Sequence, residues 1–156
     1  LQLQFFDVAD PTHPQLLHKE LIGTRGSASA ATSDHLAFNY FNDSLLGLPM
    51  AICEDSSGGS SYGRLTFDGL LVYRATLADG FTRLGGIANQ PAETQELYDS
   101  RPYYDSACYQ WWSSSTTHVQ RSVFMDDAVY SVAPDVIRAQ RLGNLGTDLA
   151  VLKLTE

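Results

Sequence analysis

The chain has 156 residues, 44% of them hydrophobic, with 10 basic against 18 acidic side chains and a net charge of −8. That length fits one domain with enough apolar residues for a core, and no run of Lys or Arg is present to neutralise phosphates. Neither nucleic acid nor an anionic membrane surface is therefore expected as a partner, and no apolar stretch reaches the ~20 residues of a membrane-spanning helix. No basic region followed by an apolar core marks a secretory signal in these residues. The chain starts at Leu1 inside a strand-like pattern, without Met, and reads as a piece of a longer protein.

In chain order, residues 1–8 alternate and stop at Ala9-Asp10-Pro11-Thr12-His13-Pro14, where two prolines enforce a turn. Residues 16–22 form the returning strand, closed by Gly23, and the small polar residues 24–33 form a crossing loop. Residues 35–41 predict a strand, and Asn42-Asp43 supplies residue types that tolerate the left-handed conformation of a tight hairpin. Residues 44–52 return with Leu46, Leu48 and Met50 on one face. Residues 53–63 are a Ser, Gly and acidic loop. Residues 70–76 and 81–87 then pair across Ala78-Asp79-Gly80, a strong hairpin signal.

Residues 88–117 are the longest irregular stretch, rich in Ser, Tyr and Trp, with one short helical turn at most over residues 95–98. The strand pattern then returns in tighter form. Residues 119–125 and 128–132 pair across Asp126-Asp127, residues 136–140 follow Ala133-Pro134-Asp135, and residues 149–154 come last.

Three runs repeat at nearly constant spacing: Leu3-Gln4-Phe5-Phe6-Asp7-Val8, Leu70-Leu71-Val72-Tyr73-Arg74-Ala75 and Val136-Ile137-Arg138-Ala139-Gln140-Arg141. Phe5 to Val72 is 67 residues and Val72 to Arg138 is 66. A strand-built repeat of that length implies a radial or stacked all-β architecture of four-stranded antiparallel units. The reading is a partial β-propeller of about two and a half blades. Residues 1–23 are the second half of a blade, residues 33–88 a full blade, residues 89–118 a long loop and residues 119–156 the final blade.

The segments Phe6-Asp7-Val8-Ala9-Asp10-Pro11, Ser33-Asp34-His35-Leu36-Ala37-Phe38, and the run from Gln120-Arg121-Ser122 to Tyr130-Ser131-Val132 carry a family resemblance. Together they resemble the C-terminal part of the secreted bacterial and archaeal β-propeller domains distantly related to WD-40 repeats. The resemblance covers essentially the whole chain apart from the Ser-rich loops around Gly58-Gly59 and Ser113-Ser114-Ser115. It implies an extracellular or cell-envelope location and transfers no catalytic residue.

Chemistry-bearing residues are sparse. Gly59-Ser60-Ser61-Tyr62-Gly63 matches the nucleophile-elbow pattern, but a strand and not a helix follows it, which removes the strained turn that such a serine needs. His13, His18, His35 and His118 lack metal-ligand spacing, and the acidic turns lack the dense oxygen donors that calcium takes, so no metal and no cofactor is expected. Asp34 and His35, adjacent at a strand start, read as structural polar residues that staple neighbouring segments. Cys53 and Cys108 are either one surface disulfide or two unrelated thiols.

Tyr103, Tyr104, Tyr109, Trp111 and Trp112 cluster amid Ser and Gln, as a recognition surface for a protein or carbohydrate ligand would, or as a lid over blade edges. The expected function is a non-enzymatic extracellular scaffold or binding module. The alternative is an accessory propeller domain of a larger enzyme such as a peptidase or other hydrolase. Open blade edges further predict self-association or strand swapping of the isolated fragment.

Overall fold

A computed structural model describes residues 1–55, 62–100, 102, 108–109 and 118–154. Strands β1 (Gln2–Asp7) and β2 (Gln15–Leu21) pair antiparallel across the proline turn, which Asp10 closes by accepting from the Thr12 N–H at 2.9 Å. Strands β3 (Asn39–Phe41), β4 (Leu45–Glu54), β5 (Arg64–Thr76) and β6 (Gly80–Gln90) form a four-stranded antiparallel sheet in sequence order. Strands β7 (Arg121–Met125), β8 (Ala128–Val132), β9 (Val136–Arg141) and β10 (Asp148–Lys153) form another. Phe5, Val72 and Arg138 fall on β1, β5 and β9, so the sequence repeat marks the third strand of each four-stranded sheet.

The hairpin turns follow their residue chemistry. Asn42 and Asp43 have φ of 48° and 52°, and Asp126 has 52°, in the left-handed region that Asn and Asp tolerate best among residues with a Cβ.

Three expectations need correction. Residues 35–41 are not one strand. The Asp34 carboxylate accepts the Leu36 N–H at 3.0 Å and holds His35–Ala37 in a 3-10 turn, which leaves β3 only three residues. The second and third strands of this sheet are also longer than the pattern implied: β4 runs through Cys53 to Glu54, and β5 starts at Arg64, not residue 70. Residues Gln95–Ser100 form a full short helix, α1, where one turn at most was expected, with Leu97 N–H donating to Thr94 Oγ1 at its start.

The central sheet is buried on both faces. Leu46, Leu48, Met50 and Ile52 of β4 alternate with Leu71, Tyr73 and Ala75 of β5 on one face, against Leu3, Phe5 and Ile22 of the first hairpin. Phe5 stacks on Phe81 with ring centroids 4.4 Å apart. On the opposite face Leu70, Val72 and Ile87 meet Phe124 and Val129 of the last sheet and Val119, which precedes it. Period-2 alternation explains both layers, since neighbouring residues on β5 project to opposite sides. Gly47 lets the last sheet approach closely, because a Cβ there would stand 2.5 Å from Ser122 Oγ. Asn39 ties the same junction by donating from Nδ2 to the Ser122 carbonyl at 2.9 Å.

Candidate functional site

The loop that follows β2 folds back along the end of β4. Thr24 N–H and Oγ1 both donate to the Cys53 carbonyl, at 2.7 and 3.0 Å, and Cys53 N–H donates to Ser27 Oγ at 2.9 Å. Asp55 N–H donates to Thr24 Oγ1 at 3.0 Å, and Ala28 pairs with Ala51 as an isolated bridge. Three alternate backbone positions at the β4 terminus, Ala51, Cys53 and Asp55, are thereby fixed by one short loop.

Cys53 and Cys108 are joined by a disulfide, so the long segment after α1 is stapled to this strand end. Around the bridge lies a small buried cluster of Cys53, Cys108, Tyr62 and Leu65, with Tyr109 packed against it. Tyr62 and Tyr109 meet edge to face at 5.1 Å, and the Arg25 guanidinium sits 4.3 Å over the Tyr62 ring. Tyr98 of α1 donates from its hydroxyl to the Tyr62 carbonyl at 2.8 Å. Glu93 ties β5 to the approach to α1: its carboxylate accepts the Leu65 N–H, its N–H donates to the Leu65 carbonyl, and its carbonyl accepts from Arg64 Nη1.

These segments enclose an open cleft of about 470 Å³ lined by Gly23, Thr24, Glu54, Asp55, Arg64 and Gln95. Its walls come from four places far apart in sequence. Carboxylates, a guanidinium, a hydroxyl and an amide face one space, a donor and acceptor set suited to a hydroxyl-rich or peptide ligand. Among the described residues no group of three or more His, Cys, Asp or Glu side chains converges as a metal site.

The sequence-predicted residues are spread over the molecule. Tyr109 packs at the disulfide, while Tyr103, Tyr104, Trp111 and Trp112 lie outside the described residues, as do Ser60 and Ser61. Gly63 leads directly into β5. Asp34 and His35 sit elsewhere, at the junction with the last sheet. Asp34 pairs with Arg121 at 2.7 Å, and its carboxyl is held below the usual value by the Leu36 N–H and by Arg121, while the His35 side chain is exposed. The cleft residues Thr24, Glu54, Asp55, Arg64 and Gln95 were not legible as a group, because only the β4–β5 pairing and the folded-back loop bring them together.

A further polar junction joins the central and last sheets. Asp68 on β5 is only 4% exposed; its Oδ2 accepts from Gln90 Nε2 at 2.7 Å, and its Oδ1 has no well-formed hydrogen bond among the described residues. Burial pushes its carboxyl above the usual value, while His118 and Gln90 pull the other way. His118 Nε2 lies 3.1 Å from Asp135 Oδ1, linking the approach to β7 with the β8–β9 turn.

Four-stranded antiparallel sheets stacked face to face, recurring every 66–67 residues, define the β-propeller class of fold. The chain belongs to the beta propeller domain family, whose model matches residues 1–145. No curated protein and no solved structure matches it.

Proposed function

We propose that this propeller segment is a non-enzymatic binding module that works outside the cell and takes a protein or carbohydrate ligand at the Thr24–Arg64 cleft. The observation that carries the reading is the convergence of Thr24, Glu54, Asp55, Arg64 and Gln95 on one open polar space of about 470 Å³. The cleft is braced by the Cys53–Cys108 bridge and by hydrogen bonds to the β4 terminus. Binding sites built on loops over a rigid scaffold keep their geometry without the cost of ordering on contact. A disulfide persists in oxidising compartments, which supports the extracellular or cell-envelope assignment. Tyr109 packs at the same end of β4, so one of the aromatic residues of that sequence run lies at the bridge that braces the cleft.

A glycan array and a phage-displayed heptapeptide library, each probed with the labelled chain, test the reading. Ligands recovered from either should lose binding at least about tenfold in a Glu54→Gln/Asp55→Asn double variant whose melting temperature is unchanged, as expected when charged hydrogen bonds worth ~1.5–3 kcal/mol are weakened. Ligands whose affinity ignores that variant, or no ligand from either library, would overturn it.

A further inference from the structure

The face of the last sheet that packs on the central sheet changes character along its strands. Phe124 and Val129 lie opposite each other on β7 and β8, Val129 lies opposite Gln140 on β9, and alternation carries the same face on to Arg138 and Val136. The β10 partners of these two are Val151 and Lys153. At the Phe124 end this face meets the apolar layer of Leu70, Val72 and Ile87, while at the Val136 end the two sheets part around a groove of about 390 Å³. Val136, Arg138, Val151, Lys153 and Leu154 form one wall, and Asn89 of β6 stands on the other. Asn89 owes its place to a β-bulge: Asp68 pairs with Gln90 and Gly69 with Ala88, so Asn89 is the extra residue, and a bulge re-aims the side chain it carries.

The polar groups at this end do not satisfy one another. Asn89 Oδ1, Arg138 Nε and, on the neighbouring strand, Asp68 Oδ1 are the buried side-chain atoms that lack a well-formed hydrogen bond among the described residues. Buried polar groups are ordinarily paired, so three at one junction mark a network that a further polar group completes. The charge is uneven as well. Arg138 donates from Nη1 to Asp148 at 2.6 Å with 28% of its side chain exposed, and Lys153 is exposed and makes no ion pair among the described residues. Asp135, the carboxylate among the lining residues, is engaged by His118 Nε2 at 3.1 Å. Two cations against one engaged carboxylate, in a chain of net charge −8, favour an anion.

We propose that this groove is a second binding site, separate from the Thr24–Arg64 cleft, and that it takes the C-terminal carboxylate of a peptide ending in an apolar residue. Lys153 meets the carboxylate with Arg138 beside it, and Val136, Val151 and Leu154 give the last side chain an apolar surface. Asn89, which carries both a donor and an acceptor, suits the peptide group before it. The volume lies near the lower bound of small-ligand pockets, roughly 300–1,000 Å³, which limits the ligand to a chain end. An internal peptide segment brings no charge to Lys153, and a dianionic phosphate sets more charge against Asp135 than one carboxylate does.

An N-acetylated tetrapeptide ending in leucine, either as the free carboxylate or as its carboxamide, is titrated into the intact isotope-labelled chain and followed by backbone amide shifts. The carboxylate form should perturb residues 89, 136–138 and 151–153 and bind at least about tenfold more tightly than the carboxamide, as expected when a charged hydrogen bond is gained. Lys153→Gln, at an exposed position, should abolish that preference with the melting temperature unchanged, and Lys153→Arg should keep it. Equal binding of the two forms, a preference that survives Lys153→Gln, shifts centred on Thr24 and Arg64, or no binding to the wild-type chain overturns the proposal. Hexanoate binding as tightly as the peptide also overturns it, since a free apolar acid would then be the ligand.

Discussion

Gly26 stands where the loop after β2 passes under the disulfide, with φ of +96° and space for a Cβ only 2.7 Å from the Cys108 carbonyl oxygen. Both the backbone conformation and the contact exclude a side chain, so Gly26→Ala should destabilise the chain by about 1–3 kcal/mol in urea denaturation. Gly143, with nothing within 4 Å of an added Cβ and no left-handed φ, is the control. Gly143→Ala should stay within about 0.5 kcal/mol of wild type. A second residue-scale effect follows from Asp68. Its carboxyl is raised by burial, so the folded state holds that proton to higher pH than the unfolded state, whose value lies near 3.8. As pH rises from the unfolded value through the raised folded one, folding must give up a proton that it favours, and stability falls. Asp68→Asn removes that step. Urea midpoints of the two proteins between pH 3.5 and 7 should therefore diverge with rising pH in favour of the variant, and a constant gap would show that Asp68 ionises as an exposed carboxylate does.

Among the elements, the strands were the most legible part of the sequence. Alternation on β4 and the Asp-Gly and Asn-Asp turns mark hairpins locally, because period-2 burial and left-handed turn residues are properties of short windows. Legibility failed where a side chain or a tertiary contact overrode the window. The pattern from His35 to Phe41 alternates like a strand, yet Asp34 captures the Leu36 amide and turns the first half into a 3-10 turn. Residues 64–69 do not read as part of the strand because Asp68 and Gly69 interrupt its apolar run; Gly69 is required there because a Cβ would meet the Ile87 carbonyl at 2.1 Å. The cleft was illegible for a stronger reason, since residues 24, 55, 64 and 95 share no local signal. The Cys53–Cys108 bridge closes a sequence separation of 55 and ties residues 108–109 to the end of β4. Cys53→Ser/Cys108→Ser should lower stability by roughly 2–4 kcal/mol. Amide exchange should quicken first at Tyr62, Tyr98 and Tyr109, with β7–β10 unaffected under native conditions. A uniform rise in exchange across all sheets would mean that the bridge holds the whole molecule and not this end of it.

At the scale of the whole molecule, the central sheet is, among the described residues, the only sheet that contributes to both core layers. Leu71 and Val72 are adjacent on β5, both fully buried, and they belong to opposite layers. Leu71 faces the first hairpin and Val72 faces the last sheet. Truncating either leaves a cavity on one side of a sheet that is itself held by ladders to β4 and β6, so each change should loosen one interface more than the other. Leu71→Ala should cost about 2–5 kcal/mol and Val72→Ala less, in keeping with the smaller volume removed. The distribution of native-state exchange is the sharper readout. Leu71→Ala should lower protection in β1 and β2 while β7 and β8 keep theirs, and Val72→Ala should do the reverse. If both variants lowered protection equally in both outer sheets, the three sheets would open as one cooperative unit. The two core layers would then be coupled through the β5 backbone and not stacked as separable interfaces, and a propeller segment of this kind would owe its stability to the series of sheets and not to any one junction.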